Sequence, residues 1–291
     1  MKWTFLIHLF LNAIPVNIMA QPVPSDKRRQ YFEVLTEAVK SSDRFFVKVH
    51  AAEALISHQH TEGLEKQFID LQQASPDNFI GATRVLANVN KTNVVKYKAA
   101  VQQILDVFLH SGPLRPRLIA LESLGKLGYN EPLPQIRQQA QEGVDGMQPM
   151  ARWVLANSGR AEDEDQLAAM LDSDDPLTYR YAAYALRFRP SVRSATCARL
   201  EACVARLRPD DPQRVYVVSA LFIHSAGEKH DSVHNQLMQY MQGESGERYE
   251  LAEALSRRGT IADIPILTKL LTDSDQDVRV AAANALLWIE K

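Results

Sequence analysis

The sequence predicts an all-α solenoid, a superhelix of about eight stacked helix-turn-helix repeats, and three observations support this prediction. First, VKVHAAEALI from residue 47 aligns without a gap on VRVAAANALL from residue 278, with six of ten positions identical. Second, a leucine in the same frame recurs about every 31 residues, an interval typical of helical repeats. Third, no part of the body shows the strict apolar and polar alternation expected of strands.

The recurring leucine divides the chain into repeats. The equivalent positions are Leu55, Leu86, Leu124, Leu155, Leu186, Leu221, Leu255 and Leu286. Four of the seven intervals are 31 residues long, and the longer ones coincide with turn-rich insertions such as NVNKTN after Leu86 and RPDDPQ before Leu221. We therefore expect one repeat array over residues 30–291.

Each repeat is predicted to contain two helices. An apolar segment with the i, i+3, i+4 spacing of one buried stripe lies upstream of each leucine, as in LAAMLD from Leu167, LMQYM from Leu237 and LTKLL from Leu267. Clusters of Asp, Ser, Gly and Pro, which end one helix and cap the next, separate the two segments. The alanine-rich second segment allows neighbouring hairpins to approach closely.

DQDVRVAAANAL from Asp275 resembles the HEAT and armadillo class, in particular its short bacterial form of the phycobilisome-lyase type. A Lys or Arg seven residues before the repeat leucine belongs to this pattern. Five repeats keep it, as Lys48, Arg117, Arg214, Arg248 and Arg279, whereas Phe79, Gln148 and Tyr179 depart from it. The resemblance covers residues 30–291 and implies an α-solenoid, but fold alone does not imply a chemistry.

Composition excludes nucleic acid as an expected partner. The chain has 33 basic and 35 acidic residues, a formal net charge of −2, and so no basic excess to neutralise phosphates. Hydrophobic residues make up 46% and charged residues 23%, as in folded soluble proteins. No apolar run after the N-terminal segment reaches the roughly 20 residues that span a bilayer, so we expect no membrane insertion of the body.

The N-terminal segment has the layout of a secretory signal peptide. Lys2 precedes the apolar stretch WTFLIHLFLNAIPVNIMA, which ends in a small residue, and we place the cleavage after Ala20. A membrane-anchoring or buried N-terminal helix is the alternative. The expected organisation is a signal peptide over residues 1–20, a linker over 21–29 and the array over 30–291, in a periplasmic or secreted protein.

The two cysteines are expected to be free, buried thiols. Cys197 and Cys203 lie six residues apart in one predicted helix, so their Cα atoms should be about 9 Å apart. This separation is too long for a disulfide. Free cysteine is usually buried, and two cysteines alone do not define a metal site.

The second helices of such arrays line the concave face, and the residues opposite each repeat leucine form a stripe on it. In the middle repeats this stripe is aromatic. Its aromatic members are Trp153, Tyr181, Tyr184, Phe188 and Tyr216. They either pack between neighbouring repeats, as aromatic stripes usually do, or form the centre of a partner-binding patch with a polar rim. Both interpretations remain open on the sequence alone.

Catalytic and metal-binding patterns are weak. No His is directly followed by Glu, the pair that a di-iron site of HEAT-like deoxyhypusine hydroxylases would need. His230 and His234 could share a helix face, and His58 and His60 share a turn, but two ligands do not specify a metal. The acidic run EDED from Glu162 is interpreted as a solvated loop before a helix. We expect no catalytic residue, no metal and no cofactor, and therefore not an enzyme.

These observations predict an exported, non-catalytic scaffold or adaptor that binds a protein, peptide or glycan on its concave face. The alternative is a small-ligand-binding or lyase-like, enzyme-associated module that uses the same groove, and a purely structural spacer is a third class. The chain continues only five residues beyond Leu286, with Trp288 near that end and no evident capping repeat. Self-association through the C-terminal repeat is therefore also expected.

Overall fold

A computed structural model describes residues 26–75, 78–131 and 133–290, which form eight helical hairpins without any strand in those ranges. The first, outer helices are α1 (Asp26–Ser41), α3 (Leu64–Ala74), α5 (Val94–His110), α7 (Pro134–Glu142), α9 (Ala161–Ala169), α11 (Ser194–Arg206), α13 (Glu228–Met238) and α15 (Ile264–Leu270). The second, inner helices are α2 (Phe45–Ser57), α4 (Phe79–Val89), α6 (Leu114–Lys126), α8 (Met147–Ala156), α10 (Pro176–Arg187), α12 (Arg214–His224), α14 (Ser245–Arg258) and α16 (Gln276–Ile289). The all-α solenoid prediction is confirmed.

The repeat frame is also confirmed, because every repeat leucine lies in an inner helix and the upstream apolar segments begin in outer helices. Short 3₁₀ turns at Met170–Asp172 and Gln239–Gln242 continue α9 and α13. The first helix begins at Asp26, four residues before the boundary predicted from the repeat. The predicted signal peptide over residues 1–20 lies outside the described residues. Within the described ranges, no helix is both long and apolar enough to cross a membrane.

In the first and third repeats the basic residue binds the C-terminal end of the outer helix in its own hairpin. Lys48 Nζ donates to the carbonyls of Val39 and Lys40 at the end of α1. Arg117 Nε donates to the carbonyl of Phe108 near the end of α5. A cation there satisfies free carbonyls and complements the helix dipole. Gln148, which departs from the pattern, still donates its amide to two carbonyls of α7.

One apolar core runs through all eight hairpins. Its inner layer is rich in alanine, and Ala281, Ala282, Ala283 and Ala285 of α16 are all fully buried. These methyl groups are small enough for α16 to pack against two inner helices at once, α14 and α2. Each inner helix likewise contacts the next one along the chain.

The contact between α16 and α2 closes the array into a ring. The outer helix α1 also packs against α16. Arg28 of α1 donates to the carbonyls of Leu287 and Glu290, at 3.4 and 3.1 Å, so the first repeat caps the last inner helix. The two segments with matching sequences, at residues 47–56 and 278–287, are therefore neighbours in space.

Polar contacts reinforce this junction. Arg44 lies 2.8 Å from Asp275, and His50 Nδ1 lies 2.8 Å from Asp277 Oδ1. His58 Nε2 lies 3.0 Å from the side-chain oxygen of Asn284. The premise of an uncapped C-terminal hairpin is wrong, because α1 and α2 cover it within the same chain.

Ring closure has a measurable consequence. In an open solenoid the terminal repeat frays, whereas in the ring α16 has neighbours on both sides. We expect the core amides of α16 to exchange hydrogen as slowly as those of α14, within about tenfold. Native-state hydrogen exchange resolved by helix measures this, with Arg28→Met as the variant that loosens the junction. Exchange in α16 more than about a hundredfold faster than in α14 would show that the ring is open in solution.

The acidic run EDED forms the first turn of α9, and its interpretation as a solvated loop is wrong for two of its residues. Asp163 and Glu164 are each only 5% exposed. Asp163 accepts hydrogen bonds from Arg160 and Ser158. Glu164 accepts from Thr196 Oγ1 at 2.7 Å and so joins α9 to α11. Hydrogen-bond donors of this kind offset the cost of burying a carboxylate. Through them Glu164 also connects two consecutive repeats.

Candidate binding site at the ring centre

The inner helices turn the predicted stripe toward the centre of the ring, where side chains from distant repeats meet. Tyr184 donates to Glu122 Oε1 at 2.7 Å across 62 residues of sequence. Arg187 pairs with Glu250 across 63 residues. Each of these contacts reaches past one intervening inner helix, α8 in the first case and α12 in the second. The concave face is a narrow, largely filled centre instead of an open groove.

Trp153 is buried, with 1% of its surface exposed. Its indole stacks on the Phe188 ring at 5.3 Å between centroids and meets the Tyr184 ring edge-on at 6.0 Å. On its other side lies Gly125, where a Cβ atom would come within 2.5 Å of the indole. Of the two interpretations of the stripe, the structure therefore supports packing between repeats for Trp153, and its role in partner binding stays a prediction.

The other four predicted aromatic residues are half-buried and fall into two groups. Tyr184 and Phe188 pack against each other and against Trp153. Tyr181 lies in the middle of α10 and Tyr216 near the start of α12. The guanidinium carbon of Arg180 lies over both of these rings, 5.5 and 4.5 Å from their centroids. The five residues therefore do not form one patch, and their role in partner binding stays a prediction.

A charged network occupies the centre beside these rings. Arg84, 1% exposed, donates to Glu53 Oε1 at 2.5 Å and to Ser123 Oγ at 3.1 Å. Glu122 accepts from Tyr184 and lies 3.0 Å from Lys126 Nζ. Burial opposes ionisation of Glu122, but the charges of Lys126 and Arg84 and the Tyr184 hydroxyl outweigh it and lower its pKa to about 2.

This shift of the Glu122 pKa predicts acid sensitivity. The folded-state pKa lies below the unfolded value, so the stabilisation is complete above about pH 4.5 and is lost as pH falls toward 2. We expect Glu122→Gln to cost about 3 kcal/mol at pH 7 and much less at pH 2.5. Urea unfolding at the two pH values measures the difference. The exposed Glu142→Gln, also an acceptor of a side-chain amide, is the control. An equal cost of Glu122→Gln at both pH values would contradict the prediction.

Arg187 and Glu250 form a second buried pair at the centre, 2% and 3% exposed at their side chains. Burial alone would lower the pKa of Arg187. The negative charges of Glu250 and then Glu253 outweigh burial and raise this pKa. Burial raises the pKa of Glu250, and Arg187 offsets it only in part. The pair is thus held together at a considerable desolvation cost.

Three cations surround the Phe188 ring. Lys126 Nζ lies 5.2 Å from the ring centroid, and the guanidinium carbons of Arg187 and Arg257 lie 4.8 and 4.7 Å from it. Such contacts are attractive because the ring face carries partial negative charge. Lys126 and Arg187 are paired with Glu122 and Glu250. The side chain of Arg257 makes no hydrogen bond or ion pair to any residue in the described ranges.

A cavity of about 480 Å³ opens at the end of the ring where the inner helices terminate. Its wall combines charged, polar and aromatic side chains. The lining residues are His50, Glu53, Ala54, Ser57, Lys126, Phe188, Arg189, Pro190, Ile223, Tyr249, Glu253, Ser256, Arg257, Arg258, Asn284 and Trp288. Of the five predicted aromatic residues only Phe188 reaches it. Its volume and mixed lining are those of a site for a small molecule or a short chain segment.

The histidine and cysteine candidates lie elsewhere. His234 Nε2 lies 2.6 Å from Asp263 Oδ1, and His230 packs on the Phe222 ring at 4.6 Å. The described residues hold no group of three or more His, Cys, Asp or Glu side chains that could bind a metal. Cys203 is buried and free as predicted, but Cys197 is also free and half-buried instead of buried.

Arg187 is the central residue that sequence reasoning missed. It directly follows the repeat leucine Leu186, a position outside the predicted stripe. A usable signal did exist. The other seven repeats place Ile56, Ala87, Gly125, Ala156, Phe222, Ser256 and Leu287 there. Arg187 is thus the one charged residue at a position that is otherwise uncharged.

A HEAT repeat family model matches residues 264–287, which include α15 and most of α16. No curated protein matches the chain. Human deoxyhypusine hydroxylase in complex with glycerol is 17% identical over 91% of this chain and 97% of that one, with a TM-score of 0.41. A designed armadillo repeat protein is 14% identical over 92% and 96% of the two chains, with a TM-score of 0.21. An engineered protein is 18% identical over 90% and 78%, with a TM-score of 0.34.

The eight hairpins with their shared leucine frame give the chain a HEAT/armadillo-like repeat architecture, and the HEAT repeat match covers its last hairpin. Repeat solenoids of this class are in general binding scaffolds. The cavity at the ring centre is the feature of this chain that indicates a more specific function.

Proposed function

We propose that this protein is an exported, non-catalytic binding scaffold that holds a short peptide segment of a protein partner in the central cavity. The observation that carries the proposal is the cavity of about 480 Å³, which is lined by α2, α6, α12, α14 and α16 and by the residues that follow α10. A few residues of extended chain match a cavity of this volume, which is far smaller than a folded domain.

The charges at the ring centre support a binding role over a catalytic one. Three carboxylates at the centre are each paired with a cation: Glu53 with Arg84, Glu122 with Lys126, and Glu250 with Arg187. A general acid or base works best with a pKa near the operating pH. The pKa of Glu122 is instead lowered to about 2. Such a network stabilises the ring and sets the electrostatic potential of the cavity.

Export is part of the proposal and rests on the apolar N-terminal segment. N-terminal sequencing of the protein purified from its native cell envelope tests it. A mature chain that begins at Gln21 supports cleavage after Ala20. A chain that retains residues 1–20 would count against a periplasmic or secreted location by this route.

Blocking the cavity tests the binding role. Ser57 is exposed at the end of α2, lines the cavity, and donates its hydroxyl to the Ala54 carbonyl of its own helix. Ser57→Phe should fill part of the cavity without disturbing the core. Ser41 is an exposed serine at the end of α1 that donates in the same way to Glu37, so Ser41→Phe is a matched control away from the cavity.

The experiment is affinity capture from the native envelope with the mature chain and both variants. We expect a partner that is retained by Ser41→Phe and lost by Ser57→Phe, with unchanged melting curves. A peptide from a digest of that partner should then bind the mature chain at one site. A partner that binds all three proteins equally would place the interaction outside the cavity.

A small ligand is the second candidate, because the same volume and mixed lining also suit a sugar or chromophore. A ligand library that raises the melting temperature of the wild type and of Ser41→Phe, but not of Ser57→Phe, would favour this alternative. A glycan partner is tested in the same format with oligosaccharides. A structural spacer predicts neither capture nor a thermal shift. Self-association is tested by sedimentation, where a monodisperse monomer at high concentration would contradict it.

A further inference from the structure

Two oppositely charged side chains on α14 face the cavity without pairing. Glu253 and Arg257 lie four residues apart, an arrangement in which a helix readily forms an ion pair. No such pair is formed, and neither side chain has a hydrogen bond or ion pair to another described residue. Arg257 lies instead over the Phe188 ring, 4.7 Å from its centroid.

The cavity wall carries an excess of positive charge. Its lining includes four basic side chains, Lys126, Arg189, Arg257 and Arg258, and two carboxylates, those of Glu53 and Glu253. Lys126, Arg189 and Arg258 already donate to protein groups. Glu53 likewise accepts from Arg84. The charged groups left free for a ligand are therefore one guanidinium and one carboxylate, a helical turn apart.

The surroundings of Arg257 disfavour its positive charge, although the residue as a whole is exposed. Desolvation of the guanidinium at the ring centre, and then repulsion from Arg187, lower its pKa. The attraction of a bound anion would offset both effects, and a guanidinium binds a carboxylate through two parallel N–H···O bonds. The stacking of Arg257 on Phe188 restricts its orientation before a ligand arrives, which reduces the entropic cost of binding.

We propose that Arg257 and Glu253 bind the carboxyl-terminal residue of a peptide, Arg257 donating to the α-carboxylate and Glu253 accepting the last amide N–H. The two groups of the ligand are separated by one Cα atom, which suits two side chains on consecutive turns of one helix. Phe188, Ile223 and Trp288 supply apolar wall for the terminal side chain. The inference rests on the proposed function, because it identifies the part of the peptide that the cavity recognises.

The probe is a pool of N-acetylated tripeptides of mixed sequence with a free carboxyl end, titrated into the mature chain. Binding is followed through the side-chain Nε–H signal of Arg257 in NMR spectra. We expect a shift of that signal, and at least tenfold weaker binding for the same pool with carboxamide ends. Arg257→Gln should weaken binding of the free-acid pool by about 10- to 100-fold and abolish its preference over the amide pool.

Three further arms identify the recognised groups. Arg208→Gln removes an exposed arginine that pairs only with Asp210, and should leave binding unchanged. Glu253→Ala, or N-methylation of the last amide, should each weaken binding about tenfold. Amidated tripeptides with internal Asp or Glu test for a side-chain carboxylate, and free amino acids test for a zwitterion. Binding of either as tight as that of the free-acid pool would overturn the assignment to a peptide end.

The outcomes separate this inference from the proposed function. Equal binding of free-acid and amide pools, blocked by Ser57→Phe, would leave the peptide-binding cavity standing and overturn the carboxylate inference. No binding of either pool would also overturn the inference, while affinity capture with the Ser57→Phe and Ser41→Phe variants still decides the proposed function. A free-acid preference that survives in Arg257→Gln would assign the carboxylate to another cation.

Discussion

Replacing Arg187 by methionine is expected to lower the free energy of unfolding by about 3 to 5 kcal/mol. The side chain is 2% exposed and pairs with Glu250, which is 3% exposed. Removal of the guanidinium leaves a buried carboxylate without its cation and also removes the contacts with the Tyr184 and Phe188 rings. Urea unfolding at pH 7 measures the loss.

The double variant Arg187→Met with Glu250→Leu is the control that separates charge from packing. Apolar replacement of a whole buried pair often restores stability, so we expect the double variant to recover most of the loss. Burial raises the pKa of Glu250 even in the intact pair, and methionine at position 187 should raise it further.

A raised carboxyl pKa favours the protonated folded state, so the single variant should lose stability as pH rises from about 4.5 toward 7. Its deficit relative to the wild type should therefore be smaller at pH 4.5 than at pH 7. A cost of less than about 1 kcal/mol at pH 7 would mean that water reaches Glu250 in the folded protein and that the ring centre is open to solvent.

The repeat architecture could be predicted from the sequence because it depends on local periodicity. The leucine frame places one residue per hairpin at the same point of the core, and Leu124, Leu186, Leu255 and Leu286 are fully buried there. Turn-rich clusters likewise mark helix ends because their chemistry is local. Such features do not depend on how far the whole array curves.

Closure of the ring could not be predicted in the same way. It depends on the small rotation between successive hairpins, summed over eight of them, and the single-repeat pattern does not specify that rotation. Few residues at the junction indicate closure in the sequence. Examples are Arg44 and His50, which contact Asp275 and Asp277 at the other end of the chain. Once closure is known, the aromatic stripe must face other side chains across the centre. This explains why Trp153 is buried and why the free polar groups lie at the cavity.

Replacing Trp153 by alanine should destabilise the protein by about 3 to 5 kcal/mol, the range for a large aromatic side chain removed from a core. The indole fills the space between Gly125 and the Phe188 and Tyr184 rings. The neighbouring Tyr184 ring is tethered by its hydrogen bond to Glu122, which opposes its movement into that space. Thermal and urea unfolding measure the cost.

Trp288 provides the control, since it is also a tryptophan on the inner face of an inner helix, α16, but is 37% exposed. Trp288→Ala should cost about 1 kcal/mol or less in stability, because much of its surface remains in water. It should instead weaken peptide binding, since the indole lines the cavity. We therefore expect opposite phenotypes for the two substitutions. Trp153→Ala should lose stability but still bind below its melting temperature. Trp288→Ala should keep its stability but lose binding. A Trp153→Ala variant that is as stable as the wild type and fails to bind would contradict the structural role given to Trp153 here.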